Sequence, residues 1–161
     1  ALATAMRSGI VEYRQALDWL AARPDVDPRR IGLIGYSLGS MMGSILAAVE
    51  PRIGAVVLCV GGDMFRGLGK DLPPAGREAI AYISPSLYIG RVSPRPILMI
   101  NGKADNVVPE AAAKLLFDAA RQPKEIVWVE GGHLLKVEDG KRGVQWMAVR
   151  LRATGTATTG D

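Results

Sequence analysis

Three polar residues stand in order along the chain, each just past a short apolar run. Ser37 lies in Gly35-Tyr36-Ser37-Leu38-Gly39, Asp105 in Asn101-Gly102-Lys103-Ala104-Asp105, and His133 in Gly131-Gly132-His133. A hydroxyl, a carboxylate and an imidazole are the parts needed for acyl transfer through a covalent intermediate. The imidazole takes the hydroxyl proton, and the carboxylate orients the imidazole. A serine in a tight strand-to-helix turn also sits at a helix N-terminus, where a developing anion is favoured. The separations are 68 residues from Ser37 to Asp105 and 28 from Asp105 to His133. Each residue has a plainer reading. G-x-S-x-G recurs by chance, Asp105 suits an Asx-turn or helix cap ahead of Pro109, and a lone histidine is more often structural.

Alternating elements must position these residues. Ile10, Tyr13, Leu17 and Leu20 mark one face of a helix over about Ala3–Ala22, stopped at Arg23-Pro24. Apolar runs at Arg30–Gly35, Ala55–Val60, Pro96–Ile100 and Glu125–Val129 read as strands, the first as one buried on both faces. Helices are expected at Leu38–Val49, after Pro109, and around Val144–Leu151. Residues 61–95 are broken by glycines and prolines, with a short helix near Arg77–Tyr82. They read as a cap-like excursion, too polar for the core. The order predicts an α/β protein of three layers, α/β/α, with a mostly parallel sheet of about four strands. Sites in such sheets form at the carboxyl ends of the strands, where Ser37, Asp105 and His133 fall. Residues 1–153 form one domain, and the small polar residues 154–161 a disordered tail.

Composition narrows the function classes. The 161 residues are 48% hydrophobic and 22% charged, as in a globular domain, and the net charge of +4 comes from scattered basic residues. Nucleic-acid binding would need them clustered. No apolar run is long enough for a membrane span, no secretory signal is visible, and the single cysteine, Cys59, excludes an intrachain disulfide. The expected location is the cytoplasm. No His/Cys cluster has metal-ligand spacing and no glycine-rich stretch matches a nucleotide loop, so no cofactor is expected. Met41 and Met42 read as core packing, Cys59 as a buried, inert thiol, and Gly61-Gly62-Asp63 as a turn.

The Ser, Asp, His order is that of α/β-hydrolases, and Arg30–Gly39, Ile100–Pro109 and Gly131–His133 resemble the nucleophile elbow, acid loop and histidine loop of dienelactone-hydrolase-like esterases and peptidases. Ala16-Leu17-Asp18-Trp19-Leu20 resembles the helix that precedes the family's nucleophile strand. The resemblance implies the C-terminal half of an α/β-hydrolase sheet, and a serine hydrolase of small carboxylic esters. In it, Ser37 is the nucleophile, His133 the base, Asp105 its orienter, and the Leu38 N–H an oxyanion donor. Dienelactone hydrolases proper carry Cys where this chain has Ser37. The acid loop begins Asn101-Gly102 where the family has His-Gly, and the elbow runs Gly39-Ser40 where it has Gly-Gly. The sequence holds no counterpart of four further strands and of the loop supplying a second oxyanion donor. The strand ending at Tyr36 is therefore expected to be a bare edge, covered by a second copy in a homo-oligomer. The competing readings are a non-catalytic binding or assembly module, a fragment of a larger hydrolase, and a peptidase or acyltransferase using the same three residues.

Overall fold

The computed structural model describes residues 2–66 and 72–156, the side chains of 153–156 excepted. Four apolar runs form four strands: β1 (Ile31–Tyr36), β2 (Ile53–Cys59), β3 (Ile97–Gly102) and β4 (Lys124–Val129). They pair in parallel in the order β1-β2-β3-β4. The helices are α1 (Leu2–Ala21), α2 (Leu38–Val49), α3 (Pro74–Ala81), α4 (Glu110–Ala119) and α5 (Val137–Thr156). This is the expected α/β architecture: a four-stranded parallel sheet flanked by helices.

Period-two alternation divides the central strands between two cores. Val56 and Leu58 of β2 and Ile97 and Met99 of β3 pack with Leu17 of α1, Leu46 of α2 and Leu116 of α4. Ala55, Val57 and Cys59, with Leu98 and Ile100, pack with Met147 and Leu151 of α5 on the other face. β2 and β3 are buried almost throughout, whereas β1 and β4 are edges and only partly covered. On β1, Ile34 and Tyr36 stay exposed, and an apolar cleft of about 300 Å³ runs along this edge between Leu17 and Met42.

Residues 61–66 and 72–95 differ from expectation. Phe65, Ile83, Ile89 and Val92 are buried; Phe65 and Ile83 join Met41 and Ile45 of α2, while Ile89 and Val92 enter the core with Leu116. Glycines and prolines break the periodicity without removing the apolar side chains, and two short 3₁₀ turns, Pro85–Leu87 and Ile89–Arg91, aim them inward. The helix expected near Arg77–Tyr82 begins earlier, at Pro74. At the C-terminus, α5 continues through Thr154 to Thr156; the rest of the expected tail, 157–161, lies outside the described residues.

Candidate active site

The site begins with a strained backbone turn at Ser37. Ser37 has φ 53° and ψ −116°, between the last residue of β1 and the first of α2. A non-glycine residue there is strained, and strain persists only where the surroundings impose it. Two contacts impose it. The Ser37 N–H donates to the Cys59 carbonyl of β2 (3.0 Å). The buried Ser40 hydroxyl reaches the carbonyls of both Gly35 (2.9 Å) and Cys59 (2.7 Å). Gly35 makes the turn possible, because a Cβ there would stand 2.4 Å from the Gly39 carbonyl oxygen. A Cβ at Gly39 would meet nothing within 4 Å, since Gly39 faces the open β1 edge. Ser40 stands where the family has glycine, and its hydroxyl fastens the elbow to β2.

At the end of β3, Asp105 is buried and does two things at once. Its Oδ1 accepts the N–H groups of Val107 (2.8 Å) and Val108 (2.9 Å), the turn expected before Pro109. Its Oδ2 lies 2.9 Å from His133 Nδ1. Turn-former and histidine partner were alternatives in the sequence; the carboxylate has oxygens for both. Burial pushes the Asp105 carboxyl up, but the N–H donors and His133 outweigh it and hold it below the ordinary value.

His133 arrives on the loop between β4 and α5. Gly131 has φ 133°, which favours glycine. Gly102 lets the loop cross the end of β3, since a Cβ there would come within 2.3 Å of the Gly132 oxygen. The Ala104 N–H donates to the Gly131 carbonyl (2.9 Å) and pins the crossing. His133 Nε2 then lies 2.9 Å from Ser37 Oγ. The structure thus brings Ser37, His133 and Asp105 into one hydrogen-bonded chain at the carboxyl ends of β1, β4 and β3. The Leu38 N–H opens α2 beside Ser37, and first-turn N–H groups have no intrahelical acceptor.

The neighbours are supporting residues. Asp63, read as part of a turn, is buried and accepts the hydroxyls of Ser84 and Ser86 and the N–H groups of Phe65, Arg66 and Ser86, anchoring the following segment. Burial raises its carboxyl, yet these donors outweigh burial and hold it low. Asn101 donates to the Gly61 carbonyl (2.9 Å), joining the ends of β3 and β2. Burial pushes the Cys59 thiol up to about 11, so it stays protonated at neutral pH. Among the described residues, no group of three or more His, Cys, Asp or Glu could hold a metal ion, and no helix is long and apolar enough to cross a membrane.

Comparison with known proteins matches residues 2–131 to the model of the dienelactone hydrolase family. The uncharacterized protein YfhR of Escherichia coli O157:H7 is 30% identical over 146 residues, covering 87% of this chain and 51% of YfhR. Among solved structures, acetyl xylan esterase 1 from Thermoanaerobacterium sp. JW/SL YS485 superposes with a TM-score of 0.73 at 21% identity, over 88% of this chain and 52% of that one. The esterase domain of a Rhodothermus marinus protein gives a TM-score of 0.67 at 25% identity, over 89% and 68%. The chain spans about half the length of YfhR and of other curated relatives it matches.

Proposed function

Since the chain belongs to the dienelactone hydrolase family, we propose that it is a serine hydrolase of small carboxylic esters. The hydrogen-bonded chain from Asp105 through His133 to Ser37 carries this reading. Ser37 Oγ attacks the acyl carbon while His133 Nε2 takes its proton. The oxygen that gains charge faces the Leu38 N–H at the start of α2. His133, oriented through Nδ1 by Asp105, then gives the proton to the departing alkoxide. The water oxygen then attacks the acyl carbon as His133 takes its proton, and His133 returns that proton to Ser37 Oγ as the acid leaves. The likeness to the Rhodothermus marinus esterase domain, at 25% identity, favours ester over amide substrates. A second copy of the chain against the β1 edge would cover Ile34 and the apolar cleft and stand where a second oxyanion donor is needed.

The test is covalent labelling. A fluorophosphonate should modify the full chain at Ser37, and Ser37→Ala should take no label and lose p-nitrophenyl acetate hydrolysis. Equal hydrolysis by wild type and Ser37→Ala would exclude this mechanism.

A further inference from the structure

Tyr36 directly precedes the nucleophile, at the last position of the edge strand β1. An aromatic ring there is not explained by burial, for Tyr36 is 44% exposed. Its hydroxyl is nonetheless used twice, by groups almost a hundred residues away. It donates to the His133 carbonyl (2.5 Å) and accepts the Leu135 N–H (3.1 Å). The ring stands edge-on to the His133 imidazole, with centroids 6.1 Å apart and planes at 71°.

These contacts close a ring of connections. Ser37 is bonded covalently to Tyr36, Tyr36 holds the backbone on both sides of Leu134, and His133 Nε2 returns to Ser37 Oγ at 2.9 Å. The start of the histidine loop is held separately, by main-chain donors from Lys103 and Ala104 to Val129 and Gly131. Beyond Gly132, among the described residues, no side chain other than that of Tyr36 hydrogen-bonds the backbone of 133–136. The loop carries two glycines before the histidine, and glycine restricts the backbone least.

We propose that Tyr36 is a positioning residue: its hydroxyl clamps the histidine loop to the elbow and sets the distance between His133 and Ser37. The assignment rests on the hydrolase reading. Proximity explains why the clamp matters, since a misplacement of about 1 Å between reacting groups can cost about 10²-fold. A tyrosine that merely filled the edge would be replaced by phenylalanine without loss, because the ring and its edge contact would remain.

Tyr36→Phe in the full chain is the test. Turnover of p-nitrophenyl acetate should fall on the order of 10- to 100-fold, with KM unchanged and the thermal midpoint lowered by only a few degrees. Two readouts do not depend on activity. His133 is the sole histidine, so its Nδ1–H resonance is unambiguous; it should broaden in Tyr36→Phe as the ring gains freedom. The Leu135 amide should exchange with solvent at least about tenfold faster, an estimate for the loss of one net hydrogen bond. A Tyr36→Phe protein with wild-type turnover, imidazole resonance and Leu135 exchange overturns the clamp and leaves the hydrolase reading standing. If the wild type itself neither hydrolyses esters nor takes label at Ser37, the hydrolase reading fails. The clamp then stands or falls on the resonance and the exchange rate, and equal values in the two proteins overturn it.

Discussion

Asp105 is the residue at which chemistry and local structure are hardest to separate. Oδ1 caps two N–H groups of its own loop, and Oδ2 faces His133. Two substitutions separate the roles. Asp105→Asn keeps an oxygen for Val107 and Val108 but offers His133 no charge, so turnover should drop by up to about 10⁴ while stability stays close to wild type. Asp105→Ala removes the cap as well and should cost roughly 0.5–2 kcal/mol in urea unfolding. If both variants lose stability equally, the Oδ1 contacts do not hold the loop. The Asp105–His133 and Ser37–His133 distances are each 2.9 Å, so the proposed proton transfer from Ser37 to His133 needs no rearrangement.

At the scale of elements, the end of the sheet opposite the site is held by charges. Glu50 caps the C-terminus of α2 and is 2% exposed. It accepts Arg52 through Nε (2.7 Å) and Nη2 (2.6 Å), and Arg14 of α1 through Nε (3.3 Å). Arg95 closes the same corner by donating to the carbonyls of Ala47, Glu50 and Ile53. The Arg52 guanidinium, opposed by burial, brings the Glu50 carboxyl from its ordinary 4.5 to about 2. The folded-state value lies below the unfolded one. The stabilisation is therefore complete above about pH 4.5 and is lost as the pH falls from there through about 2. Glu50→Gln should lower stability at pH 7 by about 1–3 kcal/mol and flatten the loss between those pH values. Thermal melts at pH 7 and pH 3 measure both effects; a parallel shift at the two would show that Glu50 does not titrate with folding.

For the whole molecule, the β1 edge bears on assembly as well as on catalysis. It presents Ile34 and Tyr36 beside an apolar cleft, with no lysine or proline within the strand to deter pairing. With a second copy as the occupant, light scattering should give a mass of about twice 17 kDa. Ile34→Lys, which places a charge on that edge, should shift it to a monomer. Specific activity should fall on dilution in step with dissociation. A monomer with undiminished activity would remove the partner from the mechanism.

Much of this protein follows from local properties of the chain. β-branched and apolar runs mark the strands, and the 3.6-residue period marks α1. The sharp turn around Ser37 starts α2 at Leu38, and the helix ends at Val49, just before Glu50-Pro51. The fold class and the positions of Ser37, Asp105 and His133 at strand ends are legible for the same reason: glycines, short apolar runs and their order are written consecutively. Tertiary structure decided the rest. Tyr36 reads as an unremarkable member of the elbow until its hydroxyl is found between His133 and Leu135. Ser40 reads as a small residue until Cys59 and Gly35 surround it. Residues 61–95 read as an excursion, but Asp63 binds Ser84 and Ser86, and Ile83 and Ile89 enter the core. Each depends on partners distant in sequence. Such pairings follow no period along the chain; they appear only when sheet register and loop crossings bring the partners within hydrogen-bond reach.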